Sequence, residues 1–124
     1  MASTRLGRVQ LMIMQILWAK GRATAREITD ALNAIELIAH STVQTLLRGL
    51  EEKGSISHHA EGRTFVFVPR VADDKFKRSA TRDLLDRVFG GSAAALVAHL
   101  LKNEKVSRAE VGEIRKLVNR RDKK

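Results

Sequence analysis

Residues 41–69, STVQTLLRGLEEKGSISHHAEGRTFVFVP, decide the fold, because the hydrophobic period changes partway along them. Val43, Leu46, Leu47 and Leu50 recur at i, i+3, i+4 and i+7, the spacing of one buried stripe on an α-helix. That helix begins near Ser41 and is closed by Lys53-Gly54. From Ile56 the pattern is extended. Ile56–Ala60 and Thr64–Val68 are two short runs, the second rich in β-branched and aromatic residues. Glu61-Gly62-Arg63 reads as a turn between them, and Pro69 stops the second run, so the pair forms a hairpin.

Two more helices precede this segment. Val9, Met12, Ile13, Ile16 and Leu17 give a buried stripe over Arg8–Ala19, which Gly21 ends. Thr24-Ala25-Arg26-Glu27 is a capping box: the Thr24 hydroxyl accepts from the Glu27 backbone, and the Glu27 side chain reaches back. It opens a helix with Ile28, Ala31 and Leu32 facing inward. Three helices followed by a hairpin make the winged helix-turn-helix plan.

The remainder is helical. Asp73 and Asp74 favour a helix start through the dipole, and Phe76, Ala80, Leu84 and Val88 follow at helical spacing. Gly90-Gly91 breaks that helix. Ser92 caps a short apolar one bearing Leu96, Val97, Leu100 and Leu101. Ser107–Glu110 is a second capping box, ahead of Val111, Ile114, Leu117 and Val118; Arg120–Lys124 is a charged tail expected to fray. The expected fold class is mostly α with a small β-hairpin. Residues 1–70 form a winged-helix DNA-binding domain and residues 71–124 a helical dimerisation region. Three thin amphipathic helices after Val71 lack a second layer within one chain, so pairing of two copies is the natural cover. Leu84, Val88, Leu96, Leu100, Leu101, Ile114 and Leu117 are the residues expected at that interface.

Composition narrows the function. An apolar fraction of 44% and a charged fraction of 30% over 124 residues place the chain among small globular domains. Lys plus Arg number 23 against 14 Asp plus Glu, a net charge of +9, which points to a polyanionic partner. Residues 1–70 carry +3 and residues 71–124 carry +6, so the excess is not concentrated in the reading head. Either the C-terminal helices add diffuse attraction to DNA or they meet another acidic partner. The chain has no cysteine, which excludes disulfides, cysteine-ligated zinc and thiol redox chemistry. There is no Gly-rich phosphate loop, no serine nucleophile elbow and no carboxylate pair on an apolar surface, so an enzyme is not expected. Met1–Gly7 holds no apolar signal core, and the longest apolar run, Ala93–Ala98, is too short to span a bilayer. A cytoplasmic protein without membrane insertion is expected.

The candidate DNA-reading residues lie on the outer face of the third helix. A recognition helix presents its N-terminal residues to base edges. Here that face carries Ser41, Gln44, Thr45 and Arg48, with Thr42 beside them and Glu52 further along. Gln pairs bidentately with adenine, Arg with guanine, and a Thr methyl meets a thymine methyl. An ordinary solvated face would instead be dominated by Glu and Lys, which appear only at Glu51, Glu52 and Lys53. Arg63 at the hairpin tip is placed to reach phosphates or the minor groove. His58 and His59 are adjacent on a strand and point to opposite faces, so they do not share a metal, and His40 and His99 lack a partner at ligand spacing. No metal or other cofactor is expected.

The ordered series Leu6-Gly7, Ile16-Leu17-Trp18, Thr24–Ile28, Ser41–Leu47, Leu50–Gly54, Glu61-Gly62-Arg63 and Val68-Pro69 resembles the penicillinase-repressor family. Leu84–Gly91, Ala95-Leu96-Val97 and Glu113-Ile114 to Leu117 extend the likeness through the C-terminal half. The family comprises repressors of β-lactamase, methicillin-resistance and copper operons. The resemblance implies a winged helix, a helical dimerisation region, and a homodimer on an inverted-repeat double-stranded DNA operator, often built on TACA and TGTA half-sites. Three departures stand out. The family usually has Arg or Lys where this chain has Gly49, implying a lost contact or a weakened helix. In β-lactam-responsive members a membrane sensor protease system leads to cleavage of an Asn-Phe bond, which corresponds here to His99-Leu100. Copper-responsive members bind metal through C-terminal cysteines, and this chain has none. The other reading of the residues is a basic winged-helix module for protein–protein or non-specific nucleic-acid contact.

Overall fold

The computed structural model describes residues 6–122, so Met1–Arg5 and Lys123–Lys124 of the two termini discussed above lie outside the described residues. The chain forms two compact units that divide between residues 80 and 81. The first contains α1 (Arg8–Lys20), β1 (Ala23–Thr24), α2 (Ala25–Asn33), α3 (His40–Glu52), β2 (Ile56–Glu61), β3 (Thr64–Pro69) and the first half of α4 (Asp73–Val88). The second contains the rest of α4 with α5 (Ala93–Asn103) and α6 (Arg108–Asp122). The chain is mostly helical with a small antiparallel sheet, the winged-helix plan expected.

The core of the first unit is built by the apolar stripes of its three helices. Ile13 and Leu17 of α1, Ile28 and Leu32 of α2, and Val43, Leu47 and Leu50 of α3 are fully buried, with Ile56 and Ala23 closing the sheet side. Val9, Met12, Ile16 and Leu46 pack against this cluster while only partly buried. Met14, outside the expected α1 stripe, is fully buried because α1 is covered over a wider arc than one row of side chains. The Thr24 box forms as expected: Glu27 N donates to Thr24 Oγ1 at 3.1 Å and Thr24 N donates to Glu27 Oε1 at 2.9 Å. Ser92 caps α5 through Ala95 N at 3.0 Å, and Ser107 accepts from Glu110 N at 3.1 Å.

The sheet departs from a lone hairpin. It has three strands in the order β1-β3-β2, and β1 pairs antiparallel with the outer edge of β3, Ala23 opposite Phe67 and Thr24 opposite Val66. Two residues, the second of them the N-cap of α2, carry no period, and only the exposed edge of β3 makes them a strand. The hairpin also runs closer to its tip than the sequence pattern implied. Glu61 pairs with Thr64, so the turn is Gly62-Arg63 alone, and Gly62 takes the left-handed φ of 65° that so short a connection requires. At the other end of the chain α6 continues to Asp122, past the start of the tail expected to fray.

Trp18 ties the start of α4 to α1. Its indole Nε1–H donates to the Val71 carbonyl at 2.8 Å, and its ring lies 5.4 Å from that of Phe76. Trp18→Phe keeps the ring contact and leaves the part-buried carbonyl unpaired. The variant is expected to lose about 1 kcal/mol in urea unfolding, with faster amide exchange confined to residues 71–80.

Candidate nucleic-acid interface

The polar side of α3 is available because its apolar side is consumed by the core. Ser41, Thr42, Gln44, Thr45 and Arg48 are all exposed, while Val43, Leu47 and Leu50 between them are buried. The Thr45 hydroxyl donates to the Ser41 carbonyl at 3.1 Å, which leaves its methyl and oxygen lone pairs for a ligand. Ala39, the residue ahead of α3, has no side-chain acceptor, so no cap satisfies the first-turn N–H groups. Such an end, carrying the positive pole of the helix dipole, favours an anion.

A cleft of 520 Å³ separates α3 from the wing. His40, Gln44 and Arg48 line it from successive turns of α3, and Arg63 closes it from the hairpin tip. Arg26, in the first turn of α2, lines it as well. Sequence reasoning missed Arg26, since nothing local distinguishes it from any exposed helical arginine. Among the described residues, Arg26, Arg48 and Arg63 form no ion pair, whereas Arg8 is held by Glu36 at 2.8 Å and Arg22 is hydrogen-bonded to Glu61. The three unneutralised guanidinium groups thus border one cleft. Ser41, Thr42 and Thr45 stand on the same helix outside its lining.

His58 and His59 have structural partners. His58 Nδ1 is 2.6 Å from Glu51 Oε1, and its ring lies 4.6 Å from that of Phe65 and 5.6 Å from that of Phe67. This joins the last turn of α3 to the wing along the same cleft. His59 Nε2 contacts Glu61 Oε2 at 2.8 Å. Among the described residues no group of three His, Asp or Glu side chains is arranged to hold a metal.

Gly49 has a packing reason in place of the cation usual in the resembling family. A Cβ there would stand 3.2 Å from Gln10 Nε2, and Gln10 Oε1 accepts from Lys53 Nζ at 3.2 Å and from Gly7 N at 3.3 Å. The bare backbone lets the amide of α1 lie against α3 and bridge both helix ends. The helix weakening expected of a mid-helix glycine is therefore set against a contact that a side chain would crowd.

The residues expected at a subunit interface have a different environment. No residue of α4, α5 or α6 is fully buried. Val88 is 65% exposed, Leu117 59% and Leu101 50%, with Leu84 and Leu100 also exposed and Leu96 and Ile114 half-buried. Val97 and Val118 belong to the same exposed apolar set. Among the described residues no single helix is long and apolar enough to cross a membrane.

Glu61 anchors the wing tip to Arg22, the residue ahead of β1. The Arg22 guanidinium, and secondarily His59, hold its carboxyl below the usual glutamate range. A depressed folded value means this contribution is present above the ordinary glutamate pKa and is lost as pH falls through the lowered one. Carboxyl NMR titration should give Glu61 a midpoint below that of a free glutamate. Arg22→Ala should raise it; an unchanged midpoint would show that Arg22 does not hold the wing.

The sequence profile of the penicillinase repressor family matches residues 6–120. The penicillinase repressor of Bacillus licheniformis is 26% identical over 110 residues, covering 89% of this chain and 86% of that one. The solution structure of the DNA-binding domain of the repressor BlaI matches with a TM-score of 0.54 at 28% identity, covering 60% of this chain and 93% of that domain. The monomeric form of Bacillus licheniformis BlaI in complex with the blaP half-operator matches with a TM-score of 0.50, also at 28% identity, covering 57% of this chain and 87% of that one. With a three-helix core, a wing and a cation-lined cleft between them, and with this likeness running through nearly its whole length, the chain belongs to the penicillinase repressor family.

Proposed function

We propose that this chain is a cytoplasmic transcriptional repressor that binds an inverted-repeat operator as a homodimer and blocks a promoter; it is not an enzyme. Residues 1–70 form the reading head, with Ser41, Thr42, Gln44, Thr45 and Arg48 facing the major groove and Arg63 of the wing reaching phosphates or the minor groove. Arg26 joins them as a phosphate contact. Residues 71–124 pair two copies through Leu84, Val88, Leu96, Leu100, Leu101, Ile114 and Leu117. The observation that carries this reading is the cleft where Arg26, Arg48 and Arg63, without ion-pair partners among the described residues, border Gln44 on the exposed side of α3. Structural likeness to a repressor domain bound to a half-operator supports it.

The physical logic has two parts. Guanidinium groups without internal partners release counterions when they meet phosphate, which supplies affinity. Gln44 and Arg48 then discriminate among base edges, which supplies register. A two-fold dimer requires a two-fold site, with half-sites separated by about one helical turn or a multiple of it. A membrane sensor protease acting as inducer is not carried into this reading. The bond at the corresponding place is His99-Leu100 in place of Asn-Phe, and it lies within α5, where the Leu100 carbonyl accepts from Glu104 N at 3.0 Å.

Selection from a random duplex library at about 150 mM salt tests the whole reading: an inverted repeat should be enriched and bound roughly a thousandfold above random DNA. Salt-sensitive binding without sequence preference would instead establish the interaction-module reading. Arg48→Ala is expected to weaken operator binding by about 1–3 kcal/mol and relax the preference at one base pair. Equal loss on operator and random duplexes would reduce Arg48 to a phosphate contact. Leu100→Asp puts a charge on the pairing surface and should yield monomers by sedimentation at about micromolar concentration, a loss of several kcal/mol in association. Retention of the dimer would remove α5 from the interface.

A further inference from the structure

His40 lies at the first turn of α3 and has a hydrogen-bond arrangement that determines which of its nitrogens carries the proton. Thr29 of α2 is fully buried, and its Oγ1 lies 2.8 Å from the Ala25 carbonyl oxygen and 2.8 Å from His40 Nδ1. Two oxygens at that separation need a proton between them, and only the hydroxyl has one to supply. Thr29 therefore donates to Ala25 and has no second proton for histidine. Its remaining capacity is as an acceptor, so Nδ1 of His40 must be the donor. In the neutral ring that leaves Nε2, the nitrogen away from the buried hydroxyl, with a free lone pair. His40 lines the same cleft as Gln44 and Arg48, one and two turns further along α3.

We propose that His40 is a base-reading residue: with Nδ1–H held by Thr29, Nε2 accepts a hydrogen bond from the exocyclic amine of an adenine or a cytosine in each half-site. The proposal rests on the operator-binding reading above. Adenine N6 and cytosine N4 are the amino groups that the major groove displays, whereas guanine O6 and thymine O4 are acceptors that would face the Nε2 lone pair. A phosphate oxygen would face it too, and Arg26, Arg48 and Arg63 already provide cations for phosphate around the cleft. Thr29 is then a positioning residue. It touches no DNA, and it sets the tautomer and anchors the ring.

The test applies the full-length wild type, His40→Ala, Thr29→Val and Thr29→Ser to the same randomised duplex library, followed by affinity measurements on single-base variants of the selected site. Wild type should show one position per half-site where an amino base is favoured by about tenfold over a keto base on the same strand. His40→Ala should flatten that position to within about twofold and leave the others unchanged. Thr29→Val removes the hydroxyl at nearly constant shape and should lose the same preference, while Thr29→Ser, which retains the acceptor, should keep it. If Thr29→Val fails to fold, His40→Ala, at the half-buried first turn of α3, decides alone. A His40→Ala profile identical to wild type overturns the proposal. So does a uniform loss at every sequence with a shallower salt dependence, which would make His40 a phosphate contact. A wild type that selects no sequence at all overturns the operator reading and this one with it, whereas intact selection elsewhere in the site confines the failure to His40.

Discussion

Burial of Val43, Leu47 and Leu50 against α1 and α2 is the contact on which the rest of the molecule depends. An α-helix with one apolar stripe has one stable way to sit on a core, and that choice rotates every other side chain into place. Once the stripe is buried, Gln44 and Arg48 are turned outward, and their spacing of four residues puts them on adjacent turns of one face. The geometry of the proposed recognition face is thus a consequence of hydrophobic packing. The conflict between burying apolar surface and presenting polar groups is resolved within a single helix of 13 residues.

Electrostatics then separates cations by task. Arg8 and Arg22 are paired with Glu36 and Glu61, contacts that connect α1 to the turn after α2, and the residue ahead of β1 to the wing. They hold elements together at exposed positions where each pair contributes little alone. Arg26, Arg48 and Arg63 lack such partners among the described residues and gather at one cleft. Their convergence on one cleft, more than the overall charge of +9, marks the proposed DNA face. The buried Thr29 hydroxyl extends the same logic to neutral groups, since its single proton dictates the orientation of His40.

The second unit presents the opposite balance. Its helices bury no residue completely, although α5 is the most apolar helix of the chain in composition. Leaving Val88, Leu101 and Leu117 in water costs roughly 25 cal/mol for each Å² of apolar surface that pairing would remove. The proposed homodimer removes that cost and aligns two heads on one duplex, so the same contacts would serve stability and spacing. In the proposed reading the +6 carried by residues 71–124 would add to the attraction for DNA without specifying sequence.

What the chain states locally was readable without coordinates. The stripes of α1 and α3, the Thr24 capping box, the Ser92 cap and the two strands around Gly62 each depend on residues within a few positions of one another. Periodicity and capping are properties of such short windows. The family likeness was legible for the same reason, as an ordered series of short motifs. Tertiary structure alone decided the rest. β1 exists because the edge of β3 reaches Ala23 and Thr24 from more than forty positions away. Trp18 finds Val71, Gln10 fills the space beside Gly49, and Arg26 joins Arg48 and Arg63 only when distant segments meet. His40 has no partner at metal-ligand spacing in the sequence, and only the packing of α2 on α3 gives it Thr29. Sequence spacing encodes which face of an element is apolar; which polar groups come to share a site depends on how those faces stack, and no local pattern records that.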